Sequence, residues 1–357
     1  MPDFYEIDFL PVHTSKSGDA VAMRYQIGAN WWVHVVDGGY TNTAPDLAAL
    51  IRQSYGTNLI NRVVVTHPDK DHAEGLAPIL QSFDVGELWM LRPWEYADIL
   101  LPHFARYSSA ESLVQRLRDE YPYIAELERI AVSRNIPIYR PFQGERIGAF
   151  TVLAPSPARY LQLIIESDKT PQQSSYSEGI LSGLFNLIEP AIAFVRAGWG
   201  SEKFSSEETS TENEVSVVQY ALLNGHSIVL TGDAGRGTLT EAADYAPMAG
   251  LLLPGVTRFQ APHHGGRRNV STELLDRWLG PRLPHMLPDG QERFTAMISS
   301  AKEDIAHPRK AVLRGLLHRG AYILTTEDTT FTIWKDAPDR GWMPIKNVPY
   351  PDEQEED

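Results

Sequence analysis

Short apolar runs broken by glycine and polar turns make up the first forty residues. Phe9, Leu10 and Val12 lead into the turn cluster Ser15-Lys16-Ser17-Gly18-Asp19, and residues 20–26 and 31–36 follow as strands separated by Gly28-Ala29-Asn30. The second strand ends in Asp37-Gly38-Gly39, where Asp37 is either a turn former or a hydrogen-bonding support for the loop that follows. Residues 46–55 read as helix, and 61–66 as a buried strand, because Val63-Val64-Val65 is β-branched throughout. Beyond Gly75 a short helix runs to about Phe83, and 87–91 is a strand. Residues 96–135 are mostly helical, since Leu113, Leu117, Ile124, Leu127 and Ile130 recur at helical spacing. Strands at 136–139, 145–147 and 150–153 close a first half.

Residues 157–210 read as an insertion. Ile180, Leu184, Leu187, Ile188, Ala191 and Val195 share one helical face, but Glu189-Pro190 interrupts it and argues against a membrane span. The segment 180–195 is a core helix, a surface for a protein partner or a second copy, or a lid. Residues 201–212 are polar and expected to be mobile. A second β-rich half begins at Val215. Its strands at 215–222 and 227–231 flank Asn224-Gly225, a hairpin signal. Short strands follow at 251–253, 258–261, 296–299, 321–325 and 331–334, with a helix from about Lys310 to Arg319. The chain thus divides into a main domain, 1–335, and an extension, 336–357.

With 357 residues, 43% of them hydrophobic and 22% charged, the chain can bury a full core. It has no cysteine, so disulfides and thiolate ligands are excluded, and a metal would have to be held by nitrogen and oxygen. The start lacks the basic-then-apolar pattern of a signal peptide, and no uninterrupted apolar run is long enough to span a bilayer; the expectation is a soluble, cytoplasmic protein with no membrane contact. A net charge of -14 opposes general nucleic-acid binding. Part of that charge sits in the acidic end, residues 352–357, expected to be disordered, while Arg267-Arg268 and Arg309-Lys310 form local basic clusters.

Chemistry gathers where apolar strands end. After the strand at 61–66 the chain offers His67, Asp69, Asp71 and His72 within six positions. In an extended loop His67, Asp69 and Asp71 point the same way, and imidazole with carboxylate suits Zn, Mn or Fe. A loop whose aspartates merely cap a helix is the alternative. Asp233 follows the apolar run Ile228-Val229-Leu230, an expensive place for a carboxylate without a cation. His263-His264-Gly265 and, less clearly, His307 also follow short strands.

The order His-x-Asp-x-Asp-His, Thr-Gly-Asp, His-His-Gly resembles the metallo-β-lactamase fold. More narrowly it is similar to the soluble hydrolase domain of ComEC-type DNA-uptake proteins. Ser17-Gly18-Asp19-Ala20, Asn213 with Ser216, and Ser299 through His307-Pro308 add to that likeness, which covers about 7–155 and 212–335. The resemblance implies an α/β protein, a four-layer αβ/βα sandwich with a helical insertion, holding one or two divalent ions, Zn or Mn. His67 and Asp69 would serve the first metal and Asp71 and His72 the second, with Asp233 bridging. His263 or His264 would complete the second, His263 being nearer its strand. The fold-wide pattern has histidine where Asp69 stands, so the site is richer in oxygen. The usual middle histidine has no equivalent, and Asn213 is the nearest candidate.

Such ions acidify a water molecule and stabilise charge on a phosphoryl or carbonyl oxygen. Asp71 would orient the attacking oxygen, and His307 would protonate the leaving group or line the pocket, unless it is only a structural histidine before proline. Three functions stay open. The first is a phosphodiesterase or nuclease acting on DNA or a nucleotide. The second is an acyl hydrolase taking an ester, thioester or amide. The third is a non-catalytic metal-binding subunit of a larger assembly.

Overall fold

A computed structural model describes residues 3–104, 107–167, 193–327 and 329–356. In chain order the strands are β1 (Phe4–Phe9), β2 (Ala20–Ile27), β3 (Asn30–Gly38), β4 (Leu59–Val64), β5 (Asp84–Trp89), β6 (Ile138–Tyr139), β7 (Arg146–Ile147) and β8 (Phe150–Ala154). The rest are β9 (Phe194–Arg196), β10 (Val218–Leu223), β11 (His226–Leu230), β12 (Arg258–Gln260), β13 (Phe294–Ile298), β14 (Ala321–Thr325), β15 (Phe331–Lys335) and β16 (Glu353–Glu355). They build two seven-stranded sheets, β15-β1-β2-β3-β4-β5-β6 and β14-β13-β12-β11-β10-β8-β7. In each, an antiparallel part adjoins a parallel part: β3 through β6 in the first, and β11 through β14 in the second.

Helices cover both outer faces. Leu76, Ile79 and Leu80 of Leu76–Ser82, with Leu113, Leu117, Ile124 and Leu127 of the next two long helices, join the first sheet's core. Leu239, Leu274, Leu275, Trp278, Val312 and Leu316 do the same for the second. The inner faces meet in one core, where the buried ring of His34 on β3 packs edge-on against Phe150 of β8 at 5.2 Å. The architecture is therefore the four-layer αβ/βα sandwich expected of the sequence. Among the described residues no helix is long and apolar enough to cross a membrane.

Local departures have local causes. No strand forms at 251–253: Leu251 is buried in the core and Leu253 packs at its edge, Leu252 is 76% exposed, and Pro254 follows without an N–H to pair. The described part of the acidic end, residues 352–356, is ordered rather than disordered. Residues 353–355 pair antiparallel with β9, and the Glu355 carboxylate accepts from the backbone N–H groups of Lys310 (2.7 Å) and Ala311 (3.0 Å). A carboxylate at the start of the helix Lys310–Leu317 meets unpaired donors and the positive end of the dipole, which composition alone does not reveal. Most of the expected apolar helix at 180–195 lies outside the described residues; its last residues, Phe194 and Val195, belong to β9.

Candidate metal centre

The carboxyl ends of the parallel strands converge on one edge of the sandwich. β3 delivers Asp37, β4 the His67 loop, β11 Asp233, β12 the His263-His264 turn, and β13 the segment to His307. Glycines set how closely these ends approach. A Cβ on Gly75 would stand 2.0 Å from the Gly38 carbonyl oxygen, so β3 and the His67 loop touch backbone to backbone. Gly232, at φ +50°, lets Thr66 press against the Thr231-Gly232-Asp233 turn and brings the two sheets' loops together.

The group that results is Asp71, His72, Asp233 and His264. Each offers one ligand atom, and these atoms lie within 4.8 Å of one another. His72 Nε2 stands 3.3 Å from Asp233 Oδ1 and 3.7 Å from Asp71 Oδ2, and His264 Nε2 stands 3.3 Å from Asp71 Oδ2 and 3.8 Å from Asp233 Oδ2. Four donors at about 2.1 Å around one ion are roughly 3.4 Å apart, so these contacts of 3.3 to 3.8 Å are close to the spacing around a single cation. His67 Nε2 lies 3.8 Å from both Asp69 Oδ2 and Asp233 Oδ2, which places Asp233 between two donor groups. The buried atoms His67 Nε2, His72 Nε2 and Asp233 Oδ1 have no hydrogen-bond partner among the described residues. Orphaned polar atoms in so buried a place are costly unless something joins them.

The electrostatics agree. Among the described residues no lysine or arginine pairs with Asp19, Asp37, Asp71 or Asp233. The histidines carry the compensation instead. Burial disfavours a charged His72, yet Asp233, Asp71 and Asp37 outweigh it and lift its pKa well above the usual range. Burial likewise opposes charge on His264, and Asp233, Asp71 and Asp19 raise it to about 9. Burial pushes Asp71 up, but His72 and His264 bring it down to about 2. Protons thus stand where a divalent cation would neutralise the same carboxylates.

Of the two adjacent histidines it is His264, not the strand-proximal His263, that closes the group of four. Both have left-handed backbone, φ +48° and +54°, so consecutive rings reach the same site. His263 Nδ1 sits 2.7 Å from Asp233 Oδ2 and 2.9 Å from Asn213 Nδ2. Asn213 therefore meets His263, and its amide also donates to Thr209. His307 lies at the rim, its ring 5.0 Å from that of His263. Burial lowers its pKa to about 4 against the pull of Asp304, so it is neutral near pH 7.

Supporting residues come from far along the chain. Asp37 accepts from Thr66 N (2.8 Å) and Thr66 Oγ1 (2.6 Å) and holds His72 Nδ1 at 2.7 Å, which aims His72 Nε2 at Asp233. Asp19, overlooked as a site residue, is buried 3.8 Å from His72 Nδ1 and 4.0 Å from His264 Nδ1, with Gln260 donating to it. Asp304, also overlooked, takes Ser17 N and Oγ at 2.9 and 2.8 Å and His307 Nδ1 at 3.3 Å. The Ser17-Gly18-Asp19 turn was the one sequence signal for two of these contacts.

No family model and no curated protein matches the chain. Solved structures overlap it weakly. A β-lactamase domain protein from Burkholderia ambifaria is 17% identical over 74% of this chain and 71% of that one, with TM-score 0.33. Metallo-β-lactamase SMB-1 is 10% identical over 76% and 86%, with TM-score 0.30. The hydrolase AbOPH, of the β-lactamase superfamily, is 13% identical over 60% and 56%, with TM-score 0.29, so the chain spans just over half of its length. What the site does is argued from its own donors and distances.

Proposed function

We propose that the chain is a metal-dependent hydrolase of phosphodiesters, with a nuclease as the specific form of that activity. The observation that carries the reading is the buried group Asp71, His72, Asp233 and His264, whose ligand atoms lie within 4.8 Å of one another and whose carboxylates meet no lysine or arginine among the described residues. These four would hold one ion, and His67 and Asp69 with Asp233 a second. The oxygen-rich donor set suits Mn as well as Zn. Divalent ions held there supply an acidified water and positive charge for a phosphoryl oxygen.

The protein's own groups orient and move protons. Asp37 fixes the tautomer of His72. Asp304 holds His307 Nδ1, and because burial keeps the ring neutral near pH 7, its Nε2 can accept a hydrogen bond or a proton at the rim of the site. Basic side chains lie beyond the His263-His264 turn: the backbone N–H of half-buried Arg309 donates to Gly265 O (3.1 Å), burial with Arg267 and Arg268 lowers its guanidinium pKa against Glu355 and Asp304, and Arg268 pairs with Glu207.

Metal-stripped protein reloaded with Mn or Zn should hydrolyse bis-p-nitrophenyl phosphate or DNA. Asp233→Asn should lower kcat at least about a hundredfold, in the range for loss of one essential charge-stabilising group. Turnover confined to acyl esters would replace this reading, and a metal-binding but inert protein would leave the non-catalytic one.

A further inference from the structure

His67, His72 and His263 each have Nδ1 held by a neighbour. His67 Nδ1 meets Thr66 Oγ1 at 3.1 Å, His72 Nδ1 meets Asp37 Oδ2 at 2.7 Å, and His263 Nδ1 meets Asp233 Oδ2 at 2.7 Å. His264 is the exception. Its Nε2 faces Asp71, but its Nδ1 is buried without a hydrogen-bond partner among the described residues. Opposite, 4.0 Å away, stands Asp19 Oδ1, which is buried and equally unpartnered. Each of these orphaned atoms costs free energy that one hydrogen bond between them would recover. A shift of about 1 Å closes it.

Asp19 is itself fixed from two sides. Its backbone N–H donates to Asp71 O at 3.1 Å, and a Cβ on Gly18 would stand 2.7 Å from that same oxygen, so the turn lies directly on the His67 loop. Gln260, the last residue of β12, holds the side chain. Gln260 Oε1 accepts from the backbone N–H groups of Thr231 (2.9 Å) and Gly232 (3.3 Å). Its amide therefore cannot turn over, and Nε2 must donate to Asp19 Oδ2, 2.9 Å away. That leaves Oδ1 for His264. The Ser299 hydroxyl also faces Asp19 but closes no hydrogen bond, and His72 Nδ1, 3.8 Å from Oδ2, is already taken by Asp37. The contacts run unbroken from the turn that carries Asp233, through Gln260, to the carboxylate facing His264.

We infer that Asp19, oriented by Gln260, is a positioning residue for His264: it keeps the ring proton on Nδ1 and leaves the Nε2 lone pair free to ligate. This rests on the metal site of the hydrolase reading above and adds the pair of residues that prepares one of its ligands. Both act through His264.

The test reads metal affinity and the place of one proton, without requiring turnover. In Asp19→Asn the amide oxygen stays toward the Gln260 NH₂ group, and the asparagine NH₂ turns to His264. Nδ1 must then accept, and the ring proton moves to Nε2. Affinity for Zn and for Mn, titrated by calorimetry, should fall about 10–100-fold. Adding Gln260→Glu reverses the contact. The new carboxylate accepts from Thr231 and Gly232 with one oxygen and from the asparagine NH₂ with the other, so the amide oxygen faces His264 and can take its Nδ1 proton. The double variant should recover most of the lost affinity. A role in packing alone predicts no recovery, because the single variant already keeps the hydrogen bond to Gln260. The proton itself is read by NMR in zinc-loaded protein carrying isotopically labelled histidine, with His264 assigned by comparison with His264→Gln. It should sit on Nδ1 and exchange slowly with water in the wild type, be lost from that atom in Asp19→Asn, and return in the double variant. If Asp19→Asn does not fold, the wild-type proton decides. A wild-type His264 without a proton on Nδ1, unchanged affinity in Asp19→Asn, or a double variant no better than the single overturns the inference while the metal site stands. A wild type that takes up neither metal overturns the site and the inference with it.

Discussion

Replacing Asp37 with asparagine should weaken metal binding without touching a ligand. Asp37 Oδ1 accepts from the backbone N–H of Thr66 at 2.8 Å, so in Asp37→Asn the amide oxygen stays there and the amide NH₂ turns to His72. In the metal-loaded wild type His72 Nδ1 would donate to Asp37 Oδ2, 2.7 Å away, and leave the Nε2 lone pair for the ion. Facing an NH₂ group, Nδ1 must accept, and the ring proton moves to Nε2, the atom aimed at Asp233. Loss of such a support weakens metal binding about 10–100-fold, or about 1.4–2.7 kcal/mol. The assay is thermal unfolding with Mn or Zn and again with chelator. At 100 times Kd, bound metal stabilises by about 2.7 kcal/mol. At about 2.1 cal/mol/K per residue the unfolding entropy of 357 residues is roughly 0.75 kcal/mol/K. The wild type should therefore gain about 4 °C on metal addition, and the variant about 0.5–2 °C at the same concentration. Asp37 also holds Thr66, so the apo variant is itself less stable, and only the metal-minus-chelator difference within each protein is read. Equal shifts in the two proteins, with equal titrated affinity, would show that His72 does not depend on Asp37.

Two further outcomes follow from buried charge. His34 has neither ring nitrogen hydrogen-bonded among the described residues, and burial, then Arg62, lower its pKa from 6.5 to about 3. The unfolded chain therefore binds the extra proton between those values. Stability is fully present above the unfolded pKa and falls as pH drops toward 3, by about 2 kcal/mol at pH 5; in His34→Leu the difference from wild type, followed by urea melts from pH 8 to 4.5, should shrink by that amount. Arg340 donates to both oxygens of the buried Asp8 at 2.7 and 2.9 Å. Arg340→Ala should cost about 3–5 kcal/mol, and Asp8→Asn in the same protein should recover part of it, since the harm is an uncompensated carboxylate.

The elements that were legible from sequence carry their own pattern: Val63-Val64-Val65 before His67, Ile228-Val229-Leu230 before Asp233, and Asn224-Gly225 between β10 and β11. In each case the signal and the structure lie within a few residues. What was not legible depends on backbone angle or on distant partners. His263 and His264 are equivalent as letters, and only the folded turn sets His264 Nε2 against Asp71 and Asp233 and His263 Nδ1 against Asp233 and Asn213. Asp304 becomes a support for His307 only because Ser17, 287 positions away, donates to it. Glu355 reads as part of a charged tail until the start of the helix Lys310–Leu317 supplies two donors.

The same distant contacts explain how so many carboxylates are tolerated together. Each loop that carries a donor is tied to a loop of the opposite sheet. Val217 N donates to Thr66 O at 3.0 Å, Gln260 Nε2 to Asp19 at 2.9 Å, and Ala301 N to Ser17 Oγ at 3.0 Å. Asp37, His263 and His264 all sit at positive φ, +57°, +48° and +54°, a conformation that costs non-glycine residues about 1–3 kcal/mol when the surroundings force it. Such strain persists only where neighbours over-determine it, and here the neighbours belong to both sheets. Loosening the packing between the sheets would release the strained turns and the crowded carboxylates together. The donor group therefore exists only in the fully packed sandwich, and a cation that binds it stabilises the contact between the two halves rather than either half alone.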